Sequence, residues 1–186
     1  MANCGIGAGI SIVCDDLKRA GGNGKTAWAI NLSDFRVPID TSLSGFITSL
    51  ELNTYVGIYK FEFGKYTIEA SSTLQKGDAG IVSYLHQVII RPISTTPTTD
   101  GVLEDLATSD TVWVIKTNNN EFKIYGGANG LTASAEEDAT GRQQTDSPLV
   151  QLTLQGTERF KPKRLSRNSS GTDTAAVLAY LNAMSQ

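Results

Sequence analysis

Gly24, Lys25 and Thr26 have the residue types that end a phosphate-binding loop. Such a loop needs a glycine five residues before Gly24, and Arg19 stands there. It also needs a helix after it, so that backbone N–H groups wrap the phosphates. The residues that follow, AWAINLS, alternate apolar and polar as a strand does. The expectation is a Gly-rich turn leading into a strand. A Ser–His or Cys–His nucleophile pair would have to use His86, the one histidine. It sits inside a strand-like run between Leu85 and Gln87, without a motif around it. A hydrogen-bonded structural role is expected. Asp15–Asp16 and Glu136–Glu137–Asp138 are neighbours in sequence. Adjacent positions on a loop do not flank a substrate as a general acid and base must. They are read as solvated or intersubunit charges. Cys4 and Cys14 are too few for a four-cysteine zinc site, and His86 lies far downstream. Reduced, buried thiols are expected, with a local disulfide as the alternative under oxidising conditions. No catalytic, cofactor or metal site is expected, and the chain is not read as an enzyme.

Two polar stretches remain. Arg159, Lys161, Lys163, Arg164 and Arg167 form the basic cluster, with Pro162 favouring an extended arm. Nucleic-acid binding would call for stacking aromatics among the cations, and only Phe160 is present. An arm in solvent, or one meeting an acidic protein surface, is expected. The second stretch, residues 132–148, is polar and lies between two apolar runs. A loop longer than about 12–15 residues in a compact domain is usually functional or disordered. Ordering it costs on the order of 1–2 kcal/mol per residue, which a partner must offset. The candidate assembly residues are therefore Thr132, Ser134, Glu136, Glu137, Asp138, Arg142 and Asp146, with the five basic residues as their counterparts. Removing residues 134–146 is expected to leave a folded monomer that cannot polymerise.

The elements that must position these residues read mostly with period two, the signature of half-buried strands. In AWAINLS, Trp28, Ile30 and Leu32 form one face; in FITSLELN, Phe46, Thr48, Leu50 and Leu52; in IYKFEFG, Tyr59, Phe61 and Phe63. GIVSYLHQVIIRP turns apolar on both faces in its second half, which predicts cover on both sides. DTVWVIKT and EFKIYG flank NNN as a hairpin, since Asn tolerates left-handed backbone angles. LVQLTLQG alternates again. About seven strands, mostly sequence neighbours, predict a mainly β protein: an antiparallel sandwich or barrel. One short internal helix is expected in TTDGVLEDLATSD, capped at Asp100, with Val102, Leu103 and Leu106 inward. A C-terminal helix is expected in GTDTAAVLAYLNAMSQ, capped at Thr172 or Asp173, with Val177, Leu178, Leu181 and Met184 on its apolar stripe. The expected division is a β domain over residues 1–158 and a basic linker with helix over 159–186.

With 186 residues the chain can bury a sizeable core without disulfides or metals. A net charge of −3 gives no general drive toward nucleic acid or acidic membranes. No run approaches the roughly 18 apolar residues of a membrane helix. The N-terminus lacks a basic region before its apolar residues and is not read as a signal peptide, so cytoplasmic synthesis is expected.

Three regions resemble the tail tube proteins of tailed bacteriophages, especially those of phages of Bacteroides-like hosts. They are NCGIGAGISIVCDDLKRAGG with AWAINLSDF, then VWVIKTNNNEFKIYGGANGL, then ATGRQQTDSPLVQLTLQGTERFKPKRL. The shared features are two cysteines about ten residues apart, a Gly pair, a hairpin ending in a Gly-rich corner, and a Thr–Gly loop before a strand. Residues 54–110 match only in general character. The resemblance implies a subunit that closes into hexameric rings, stacked into a tube whose lumen conducts DNA. It implies partners that are the chain itself and other tail or neck proteins, with DNA only in passage, no membrane partner, no cofactor, and a place in the virion tail. Family lumens tend to be acidic, which makes Glu51 and Glu62 lumen candidates. The rivals are another virion part (tail completion, connector or decoration protein) and a β-sandwich module binding glycan or protein, which would expose an aromatic patch.

Overall fold

The structure, a computed structural model, describes residues 22–36, 46–52, 58–63, 67–77, 80–92, 97–139, 149–167 and 173–185. Its strands in chain order are β1 (Asn23–Asn31), β2 (Phe35–Arg36), β3 (Phe46–Ile47), β4 (Glu51–Leu52), β5 (Tyr59–Glu62), β6 (Ile68–Lys76) and β7 (Val82–Ile90). After helix α1 (Pro97–Thr108) come β8 (Thr111–Thr117), β9 (Phe122–Tyr125), β10 (Thr132–Ala139), β11 (Leu149–Glu158) and β12 (Lys163–Leu165), and then helix α2 (Thr174–Met184). The protein is mainly β. A six-stranded sheet, ordered β3-β12-β9-β8-β1-β5, packs on a four-stranded sheet, ordered β10-β11-β7-β6, and β2 pairs with β4 as a separate ribbon. This is a sandwich with open sheet edges rather than a closed barrel.

The six-stranded sheet is the middle layer. Its inner face carries Ala27, Ala29, Trp113, Ile115 and Tyr125 against Val88, Ile90, Leu152 and Leu154 of the four-stranded sheet, with Leu103 and Leu106 of α1 closing one side. Its other face carries Trp28, Ile30, Val112, Val114, Phe122 and Ile124 against Val177 and Leu181 of α2. Residues 27–30 and 112–115 are therefore buried on both faces. The expected half-buried reading of AWAINLS is corrected here: Trp28 and Ile30 pack toward α2 and Ala29 toward the four-stranded sheet, because a sheet covered on one side by a sheet and on the other by a helix has no wet face. GIVSYLHQVIIRP runs the other way. Val88 and Ile90 are buried, while Ile89 and Gln87 sit half-buried on the outer face.

FITSLELN does not form one strand. Phe46–Ile47 runs parallel to β12, and Glu51–Leu52 pairs with β2. Between them the backbone of Leu50 is held from α2: its N–H donates to the Tyr180 hydroxyl at 3.0 Å, and that hydroxyl donates to its carbonyl at 3.1 Å. The basic segment is likewise no free linker. Lys163–Leu165 pairs with β9 and with β3 inside the six-stranded sheet. Helix α1 starts at Pro97, which suits a first turn whose N–H groups are unpaired. Asp100 thus lies in the first turn rather than at the cap, and Val102 is exposed. Asp173 occupies the N-cap position of α2, but its carboxylate accepts from Ser166 Oγ and the Arg167 N–H, each at 3.2 Å. The NNN hairpin is as expected, with Asn120 at φ 61°.

Candidate assembly surface

The four-stranded sheet presents one broad outward face. Its registers place Ile68, Ala70, Val88, Ile90, Leu152 and Leu154 inward, so the residues between them face out. Two cross-strand rows run Glu69–Ile89–Thr153–Ala135 and Ser71–Gln87–Gln155–Thr132. This outer face is mostly polar, with Leu85 and Ile89 as apolar members and Glu69 and Arg91 as an opposed charge pair. Ser71 Oγ donates to Gln87 Oε1 at 3.4 Å, and Arg91 Nε to Gln151 Oε1 at 2.8 Å, with Glu69 3.9 Å from the same guanidinium.

Among the described residues the sheet ends on both sides in strands with one partner each, β10 and β6. Residues 132–139 were expected in a loop. The structure corrects this: Thr132–Ala139 pairs with β11 along its length, with a bulge between Ala133 and Ala135. Every second residue there is polar or charged, which hides a strand whose outer edge has no neighbour among the described residues. Thr132 Oγ1 donates to Asp110 at 2.7 Å and Ser134 Oγ to the Thr153 carbonyl at 3.2 Å, so both hydroxyls fasten the strand. Glu136, Glu137 and Asp138 project exposed from this edge. Arg142 and Asp146 lie outside the described residues, as do Cys4, Cys14, Asp15 and Asp16.

The five basic residues do not form one free arm. Arg164 contacts Glu121 at 3.2 Å, and Arg167 donates to the Thr48 carbonyl at 3.0 Å while covering the Tyr180 ring. Arg159 and Lys163 flank the half-exposed ring of Phe160, each 5.3 Å from its centre, and Lys161 lies 5.9 Å from the Tyr84 ring. Neither lumen candidate lies on the four-stranded sheet. Glu51 is in β4; Glu62 is in β5, at the edge of the other sheet. The Lys60 ammonium, bonded to Glu62 at 2.7 Å, holds that carboxyl below its ordinary value.

The sequence marked the Gly-rich corner that joins β9 to β10, but not what holds it. Gly126 and Gly130 take φ of 72° and 80°, a region that favours glycine. The buried Glu158 carboxylate accepts from the N–H groups of Ala128 and Asn129 at 3.1 and 2.9 Å, and Asn129 Nδ2 donates to the Thr157 carbonyl. A Cβ on Gly156 would overlap the Gly130 carbonyl oxygen. The signal was present in the sequence as Gly156–x–Glu158, but it acquires meaning only when β11 lies against the corner. His86 belongs to the same neighbourhood: Nδ1 accepts from the Gly126 N–H at 3.2 Å, and Nε2 donates to the Phe160 carbonyl at 3.0 Å. Both ring nitrogens are used, which makes it the structural histidine expected. Gly24–Lys25–Thr26 lies inside β1, not before a helix. Both tryptophans are fully buried.

Among the described residues, no three His, Cys, Asp or Glu side chains gather as a metal site would require. No helix among them is long and apolar enough to cross a membrane. No family model, no curated protein and no solved structure matches the chain.

Proposed function

We propose that this chain is the structural subunit of a bacteriophage tail tube, closing into rings that stack around a DNA-conducting lumen. The observation that carries the reading is the four-stranded sheet, whose two outer strands have no further partner among the described residues and whose outward face is mainly Ser, Thr and Gln. Open edges are an aggregation hazard unless something pairs or covers them, and ring closure removes them all at once. Six copies of such a sheet would bring about 24 strands. At about 4.8 Å per strand they enclose a barrel roughly 37 Å across before tilt, wider with it, which is room for a duplex. A wall of Ser, Thr and Gln offers phosphate few cations to bind, and binding to the backbone is what would arrest passage. The resemblance to tail tube proteins supports the same reading.

Negative-stain microscopy of the purified protein at high concentration tests it. Tubes of constant width are expected. Single rings that never stack would point to a connector or completion protein instead. A monodisperse monomer at every concentration would sink both.

A further inference from the structure

Beneath the free edge of β6 the two sheets splay apart and leave a groove. One part, of about 880 Å³, runs from Ala70 and Leu74 past Tyr84 to Phe160. A second, of about 450 Å³, starts at Gly22 and shares Ala70, Lys123 and Tyr125 with the first. One wall is apolar, with Ala70, Leu74 and Tyr84, and Leu74 is half exposed; the facing side is basic, with Lys123, Lys161 and Lys163. The backbone of β6 is also half used. The Thr67 carbonyl accepts from Arg91 on β7 and Gly77 donates to Ile81, so odd-numbered residues pair with β7. The N–H and C=O groups of Ala70, Ser72 and Leu74 therefore point the other way, along an edge that no described strand pairs with. At the start of that edge Asn23 Nδ2 reaches the Ile68 carbonyl at 3.4 Å.

The chain itself supplies an occupant for this backbone edge and its apolar wall. Twenty-one residues precede Gly22, and Gly22 lines the mouth of the groove. Within them Ile6, Ala8, Ile10, Ile12 and Cys14 alternate with Gly5, Gly7, Gly9, Ser11 and Val13. That is a strand pattern with an aliphatic face and a small one. Residues 15–21 can span about 23 Å, ample to turn from Gly22 back along β6. The direction that results is antiparallel to β6, the pairing that a short return allows.

We propose that residues 5–14 of this same chain add a fifth strand to the free edge of β6, with Ile6, Ile10 and Ile12 filling the groove. Main-chain hydrogen bonds then satisfy β6, as in other strand additions, and the small face extends the Ser, Thr and Gln surface; the added strand becomes the sheet's outer edge, so six copies would bring about 30 strands rather than about 24. The proposal does not rest on the tail tube reading and is tested on dilute, unassembled protein. Hydrogen exchange of the unmodified full chain is compared with a chain lacking residues 2–16. The amides of Ala70, Ser72 and Leu74 should exchange at least about tenfold more slowly in the full chain. Equal rates would overturn the proposal. As a second arm, Ala70→Cys and Ser72→Cys are each made in full-length Cys4→Ser protein and mildly oxidised. A Cα separation of about 5.5 Å in a paired strand suits a disulfide. A bond to Cys14 within one chain, in at least one of the two variants, is expected. No bond in either, or a bond only between chains, would overturn the own-chain seat.

Discussion

His86 shows how a residue that could do chemistry is used for structure instead. Its ring is buried, and loss of hydration pushes its pKa down to about 4, although the bond to the Phe160 carbonyl works against this. The folded protein thus holds it neutral, while the unfolded chain binds a proton near pH 6.5. The unfolded state binds more protons between those values, so stability falls as pH drops from about 6.5 toward 4 and is fully present above 6.5. The effect is on the order of 3 kcal/mol at most. Thermal melts of the wild type and of His86→Gln between pH 7 and 5 check it: the wild type should lose Tm on acidification over that range and the variant should respond less. Glu158 gives a second residue-scale prediction. Glu158→Ala leaves two N–H groups of the corner without an acceptor and should cost about 2–4 kcal/mol in chemical denaturation. Glu158→Gln retains an acceptor oxygen and should cost clearly less. If both cost the same, the carboxylate is not what holds the corner.

At the scale of elements, α2 is the part whose weight the sequence understates. Its apolar stripe was legible from Val177 and Leu181, but nothing in one helix reveals that it covers a sheet already buried on its other side. Leu181 is fully buried against that sheet. Leu181→Ala should therefore destabilise by about 2–5 kcal/mol, measured by urea unfolding. A cost within 0.5 kcal/mol would mean that α2 is only loosely attached. Tyr180→Phe is the finer test, because it frees the Leu50 backbone and should speed hydrogen exchange at residues 48–52. The strands that sequence periodicity found are those with strong apolar alternation: β1, β5, β7, β8, β9 and β11. Those it missed share a physical reason. In β6, Ser72 and Thr73 stand where apolar residues would mark a face, since this end of the strand overhangs the groove. In β10 the edge position permits carboxylates on successive residues. In β12 the residues Lys163 and Arg164 look like linker because their strand is short and their charged ends reach past the sheet to solvent or to Glu121. FITSLELN failed in the opposite sense, since correct alternation was overruled by the tertiary contact of Tyr180 with Leu50.

For the whole molecule, the tail tube proposal asks how one copy would meet the next. Exposed carboxylates of Glu136, Glu137 and Asp138 stand on one edge of the four-stranded sheet, and Arg159, Lys161 and Lys163 lie toward the end of β11 beyond the corner. Within one chain these groups do not meet. A head-to-tail contact between copies would bring opposite charges together and would repel the wrong pairing. Deleting residues 134–146 is no longer the cleanest test, because it would remove most of β10 and uncover its neighbour β11. The triple substitution Glu136→Gln, Glu137→Gln, Asp138→Asn keeps the strand and removes the charge. Each of these side chains is exposed, so the melting temperature of the monomer should change little. Assembly should fail or require a protein concentration at least about tenfold higher, read by light scattering and microscopy. Raising salt should weaken wild-type assembly in the same direction, since exposed pairs are screened over about 8–10 Å at 0.1–0.15 M. If the triple variant forms tubes at the wild-type concentration, the acidic edge of β10 takes no part in joining subunits, and the contact must be sought at the β6 side of the sheet.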